Sequence, residues 1–310
     1  KRGEGAPDHR NSDLGATRSR RTVRCMTPVL RLALPDPAGT PSLVAAGIAS
    51  VAIDEADLVG PPAIRARALT KRWRGGRPAP VAAGECVMVA GVNGAGKTTL
   101  LRCLLDFVRP DSGTASIFGI DVREPRARRA LAFLPERFLP SPHLSGRETL
   151  AMLAGLQDQR WSDAAIGAAL DELEFPREAL GRRMRDYSKG MTQKLGLAAA
   201  MLQDKPMLVL DEPMSGLDPL ARRFLAGLLA RRKAEGRTLV FTSHAPTDIT
   251  RLADRIVLLH AGRLLFSGAP AALCDALGAA DLESAFVECV ARTAGDARRP
   301  QDAPPRSPSP

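Results

Sequence analysis

The sequence predicts an α/β protein built on a mostly parallel sheet, and three observations carry that prediction. Short apolar runs bounded by Pro, Gly or acidic residues alternate along the chain with segments of helical spacing. One such run, CVMVA, feeds into a glycine-rich loop and then a helix pattern, GVNGAGKTTLLRC. A second, MLVL, ends in the acidic pair Asp211-Glu212.

Taken in order, residues 1–62 are punctuated by Pro, Gly and Arg, show no sustained period and read as a disordered tail and linker. Folded structure starts at residue 63, where AIRARALTKRW alternates like an edge strand. Cys86–Ala90 is a short buried strand, and Lys97–Val108 has helical spacing. Residues 142–186 are rich in helical pattern, with Pro142 and Pro176 at turns. Met207–Leu210 is a second buried strand. Residues 218–235 form an Arg-rich amphipathic helix whose C-cap suits Gly236. TLVFTS (238–243) is a strand, and RIVLLHAGRLLFSG (255–268) a hairpin turning at Ala261-Gly262. The body ends at residue 292, and 293–310, rich in Pro, Arg and Ser, reads as a second disordered tail.

Composition narrows the functional classes. No stretch approaches the roughly 20 apolar residues of a membrane span; Leu43–Ile53 is half that length. Net charge is +10, and half of the excess lies in residues 1–31, where eight Lys/Arg face three Asp/Glu. The body is therefore only modestly basic, and nucleic acid is not an expected partner. Met26 is a candidate start, and Glu4, Asp8 and Asp13 argue against a transit peptide. The five cysteines form no CxxC pair, which excludes a zinc framework and leaves reduced, buried thiols.

Gly91-Val92-Asn93-Gly94-Ala95-Gly96-Lys97-Thr98 fits G-x-x-x-x-G-K-[ST], the P-loop. Its glycines let backbone N–H groups converge on phosphate oxygens, and the following helix adds its dipole. Lys97 reaches the β- and γ-phosphates of ATP, and the Thr98 hydroxyl ligates Mg²⁺; Thr99 follows in the same turn. Asp211, ending a strand, holds the same ion through water. Glu212 accepts the proton of the attacking water. A hydrophobic run ending in two acids is weak evidence alone. Paired with the P-loop it is strong.

With these residues in view the chain resembles the ATP-binding subunit of an ABC transporter, from about residue 64 to residue 290. Tyr187-Ser188-Lys189-Gly190-Met191 stands where the family has its LSGGQ signature, its serine 23 residues before Asp211. Ser215-Gly216-Leu217-Asp218 resembles the D-loop, His244 in TSHAP the switch histidine, and Trp73 the aromatic that stacks on adenine. The resemblance implies a P-loop NTPase core with an antiparallel β edge subdomain and a helical subdomain over about 137–190. It implies ATP and Mg²⁺ as ligands. Ser188 and Gly190 would bind the γ-phosphate held by a second ATP-binding subunit in a homodimer, with Asp218 at the seam and His244 on the phosphate. A separate transmembrane permease would be the other partner, placing the protein in the cytoplasm on the inner face of the membrane.

Three departures from the family pattern stand out. The loop that usually carries glutamine reads LAFLPERF, putting Glu136 there as a catalytic-site and Mg²⁺-ligating carboxylate. The signature reads YSKGM, which with the LPE loop and LESAFVECV (282–290) resembles the branch working with ABC-2 type membrane subunits, mostly exporters. Only ten residues, RGGRPAPVAA, separate Trp73 from Gly84, so the edge subdomain is expected to lack a strand. The alternative function is a soluble ABC ATPase acting on nucleic acid or the ribosome. It lacks the second P-loop or the coiled-coil insertion such proteins carry. A degenerate, non-hydrolysing protein would rest on the shortened edge alone.

Overall fold

The computed structural model describes residues 62–70, 80–244 and 251–296. Trp73, most of the shortened segment, Cys25, the N-terminal tail and the chain from 297 lie outside these residues.

A six-stranded sheet forms the centre. Its strands are β2 (Cys86–Ala90), β5 (Leu131–Leu134), β6 (Met207–Leu210), β7 (Thr238–Ser243), β8 (Arg255–His260) and β9 (Arg263–Gly268), in the order β5-β6-β7-β2-β8-β9. Every neighbouring pair is parallel except β8 and β9, which form an antiparallel hairpin. β2, β6 and β7 are buried along their whole length because both faces of the sheet are covered, so β2 and β6 read as continuous apolar runs, while β7 also buries Thr238, Thr242 and Ser243.

Strand alternation then sorts the core. Val87, Val89, Met207, Val209 and Val240 face α1 (Lys97–Leu104), whose Leu100, Leu101 and Leu104 belong to the same cluster. Met88, Leu208, Leu210, Leu239 and Phe241 face the other way. There they pack with Leu195 and Leu197 of α4 (Lys189–Leu202) and Leu225 and Leu228 of α5 (Pro219–Ala234).

A second, antiparallel sheet contains β1 (Ile64–Thr70), β3 (Ser112–Ile117) and β4 (Ile120–Asp121), in the order β1-β3-β4. On the open side of β1 the only pairing among the described residues is one bridge, Ile64 N–H to Val81 O at 3.2 Å and Val81 N–H to Ile64 O at 2.7 Å. Its anchor is a buried ion pair at the far end of β2. Arg255 donates from Nε to Glu85 at 2.7 Å and from Nη2 to Glu85 at 2.8 Å and to Pro80 O at 2.7 Å. The two side chains are 4% and 10% exposed, so removing one partner strands a buried charge. Arg255→Met is expected to cost about 3–5 kcal/mol of unfolding free energy, read by urea denaturation. A loss below about 1 kcal/mol would show that the pair behaves as a surface one.

Between β5 and β6 lie α2 (Gly146–Gly155), α3 (Asp163–Asp171), two short 3-10 turns and α4. Serines cap all three helices: Ser145 in a reciprocal capping box with Glu148, Ser162 on Ala165 N–H and Ser188 on Met191 N–H. After β9 come α6 (Pro270–Leu277) and α7 (Leu282–Asp296).

Three element ends differ from the sequence reading. α1 stops at Leu104 rather than near Val108, because Asp106 turns to φ 60° and Phe107 N–H closes on Arg102 O at 2.8 Å. α7 runs four residues past the expected boundary at 292, where an Arg292–Glu288 pair one turn apart supports its last turns. Gly236, at φ 82°, follows the cap residue Glu235 instead of being it. The hairpin does turn at Ala261 and Gly262, both left-handed at φ 45° and 71°. Cys86, Cys103 and Cys289 are buried, and desolvation pushes the Cys86 thiol up to about 12, so it stays protonated.

Candidate functional site

The carboxyl ends of β2, β6 and β7 converge, because the three strands are parallel neighbours. Each delivers one part of the site as it leaves the sheet. β2 opens into the loop Gly91–Gly96. A side chain at Gly91 would place its Cβ 2.5 Å from Leu259 O and 2.8 Å from Ala95 Cβ, so no larger residue fits. Gly94 and Gly96 take φ of 80° and 104°, which side chains rarely adopt. The β8–β9 turn holds the loop from behind, Gly262 N–H donating to Ala95 O at 3.1 Å.

The loop ends at Gly96, the N-cap of α1, which offers no side-chain cap, and the first turn holds no acidic residue. The amides of Lys97, Thr98 and Thr99 therefore have no acceptor within the helix, at its positive end. That fits an anion such as a nucleotide phosphate. Asn93 is exposed at the mouth of the loop. Lys97 is buried, its Nζ donating to Gly91 O at 2.7 Å.

β6 ends at Leu210, and the Asp211-Glu212 pair follows, 2% and 9% exposed. Asp211 N–H still reaches back to Leu134 O at 2.8 Å. Glu212 then turns to φ 49°, a left-handed backbone that costs a non-glycine residue about 1–2 kcal/mol. That turn aims its carboxylate across the site. Glu212 Oε1 is 3.3 Å from Lys97 Nζ, and Oε2 is 2.9 Å from His244 Nδ1. Thr98 Oγ1 donates to Asp211 Oδ1 at 3.4 Å. Lys97, Thr98, Asp211, Glu212 and His244 thus meet in one place.

The signature and D-loop residues pack against each other, and Ser215 N–H donates to Glu212 O at 2.9 Å. Ser188 caps α4. A Cβ at Gly190 would lie 3.1 Å from Gly216 O, and Lys189 Nζ donates to Ser215 Oγ at 3.1 Å. Asp218 caps α5, and the Ala221 N–H it accepts holds its carboxyl below the usual range. Glu136 sits two residues beyond β5, exposed and without a hydrogen-bond partner among the described residues. Trp73 is outside the described residues.

Two contacts escaped the sequence reading. Thr242, in β7, joins Asp211 to Glu212 through its hydroxyl. Lys189, where the family has glycine, lays its stem along Gly216. A threonine in a strand signals nothing by itself, and the Lys189 contact joins segments 26 residues apart.

Among the described residues no three His, Cys, Asp or Glu gather into a metal cage, and no helix is long and apolar enough to cross a membrane. Residues 79–215 match the ABC transporter family. An uncharacterized ABC transporter ATP-binding protein of Nostoc sp. is 36% identical over 195 residues, covering 60% of this chain and 56% of that protein. The Nod factor export ATP-binding protein I of Mesorhizobium japonicum is 36% identical over 199 residues, covering 63% and 58%. The chain thus spans little more than half the length of these curated relatives. Among solved structures, the ATP binding subunit of an ABC transporter superposes with TM-score 0.64 at 28% identity, covering 73% of this chain and 98% of that one. A dimeric bacterial ABC transporter cassette superposes with TM-score 0.60 at 21% identity, covering 66% and 98%, which speaks to the fold alone.

Proposed function

We propose, from the match of residues 79–215 to the ABC transporter family, that the chain is the ATP-hydrolysing subunit of a transporter, an exporter, driving a separate transmembrane permease. The observation that carries this reading is the meeting of Lys97 with Glu212 and His244 at the uncapped start of α1. It supplies an anion cradle, a cation and a carboxylate within one site.

ATP is the substrate. The amides of Lys97, Thr98 and Thr99 and the loop from Gly91 through Gly94 would grip its phosphates, with Lys97 Nζ on the β- and γ-oxygens. Thr98 and Asp211 would hold Mg²⁺, with Glu136 at the rim, and the bound ion would neutralise charge between the β- and γ-phosphates. Glu212 would take the proton of the attacking water, and His244, against its other oxygen, would orient it and reach the γ-phosphate. Export is supported by the names of the Nod factor relatives and by the YSKGM signature.

Lys189 and Gly190 pack against Ser215 and Gly216, and the phosphate-binding role of Ser188 and Gly190 would fall on nucleotide held by a second copy. Asp218 would sit at the seam, and the pair of subunits would work on the cytoplasmic face of the membrane. A nucleic-acid role is not favoured, because much of the basic end of α5 is already neutralised. Arg231 and Arg232 pair with Glu172, Lys233 with Asp254 and Arg237 with Asp204.

Light scattering of the Glu212→Gln protein tests the assembly. Mg-ATP is expected to convert monomer to dimer, and ADP is not. Protein that binds ATP and stays monomeric would sink self-association as the working step.

A further inference from the structure

Thr242 has not been given a role by the nucleotide chemistry, yet it touches both acidic residues. The β6–β7 ladder ends at Leu210 opposite Phe241. One step further, where the chain turns out of the sheet at Asp211-Glu212, a side chain replaces the backbone partner. Glu212 N–H donates to Thr242 Oγ1 at 2.7 Å, and Thr242 Oγ1 donates to Asp211 Oδ1 at 2.6 Å. The residue is 1% exposed, so no water competes for either bond.

The direction of the chain of bonds is forced. An amide can only donate, so the hydroxyl accepts from Glu212, and its single proton must go to the carboxylate of Asp211. We propose that Thr242 is a positioning residue. Through one hydroxyl it holds the left-handed backbone of Glu212 and one carboxylate oxygen of Asp211 in their working geometry.

The neighbours of Thr242 extend the same bracket. Ser243 O accepts Gly91 N–H at 3.3 Å, and His244 Nδ1 lies 2.9 Å from Glu212 Oε2. Three successive residues thus tie the P-loop, the metal-side carboxylate and the proposed base to the end of one strand. A displacement of β7 moves all of them together. The inference rests on the hydrolytic reading for its catalytic consequence, while its geometric part stands independently.

The test compares Thr242→Val, which keeps the branched shape and loses the hydroxyl, with Thr242→Ser, which keeps the hydroxyl. Two measurements are made: hydrogen–deuterium exchange of the peptide around Glu212 in nucleotide-free protein, and steady-state ATP hydrolysis. For Thr242→Val, exchange at Glu212 is expected to quicken by about tenfold or more. Its kcat is expected to fall by about 10²-fold, with KM for ATP within about threefold of wild type. Thr242→Ser is expected to stay close to wild type in both.

Undiminished protection, an unchanged kcat in the valine variant or a loss confined to KM would each overturn the proposal. Equal damage from serine would assign the effect to packing of the methyl group and overturn it as well. Faster exchange in the valine variant of a protein whose wild type hydrolyses no ATP would instead refute the hydrolytic reading and leave the hydroxyl's structural task in place. If Thr242→Val does not fold, Thr242→Ala carries the same comparison.

Discussion

Lys97→Ala is expected to lose nucleotide affinity by about 10²–10³-fold, measured by equilibrium binding of a fluorescent ATP analogue. Two effects add. The cation that would meet the phosphates is gone, and the carboxylate it neutralised is uncovered. Lys97 Nζ lies 3.3 Å from Glu212 Oε1, with both side chains nearly buried. Removing the lysine leaves an anion facing the place where more negative charge must enter. The double variant Lys97→Ala/Glu212→Gln should therefore recover about tenfold of the lost affinity, by removing that repulsion. A double variant no tighter than the single one would show that the carboxylate does not oppose the phosphates. An unchanged affinity in Lys97→Ala would remove the lysine from the site altogether.

Glu212→Gln is expected to lower ATP turnover by about 10²–10⁴-fold while nucleotide still binds. The amide has the size of the carboxylate and keeps a contact with His244, so the local shape survives. What it loses is the capacity to take a proton. Because glutamine no longer holds Lys97 as an ion pair, ADP should bind somewhat more tightly than to wild type. Phosphate release under saturating ATP and a separate ADP titration check the two halves. Near-normal turnover would exclude Glu212 as the proton acceptor. Weaker ADP binding would show that the ion pair supports the cradle instead of competing with phosphate.

How much of this could be read in advance depends on what kind of contact is involved. CVMVA, MLVL and TLVFTS coincide with β2, β6 and β7, because strands covered on both faces are mostly apolar and turn or charged neighbours mark their ends. The parallel character of the sheet followed from the same alternation of strands and helices. Helix ends were less legible. α1 is closed by the backbone conformation of Asp106, a choice invisible in residue hydrophobicity. At the site, Gly91, Lys97 and Asp211 announce themselves because phosphate chemistry demands those residue types at those spacings. Thr242 does not, since its value comes only from lying opposite a chain that leaves the sheet. Lys189 is similar: its partner Ser215 is near only after α4 and the loop behind β6 have been folded together.

The division of the core between the two faces of the central sheet has one more outcome. α1, which starts at the phosphate grip, belongs to one cluster of buried side chains, and α4, which starts at Ser188, to the other. The strands between them act as a bulkhead. Substitutions in the layer under α4 are therefore expected to leave the packing behind α1 in place. What the two layers share is the polar edge where the strands end, at Asp211, Glu212 and the loops beside them.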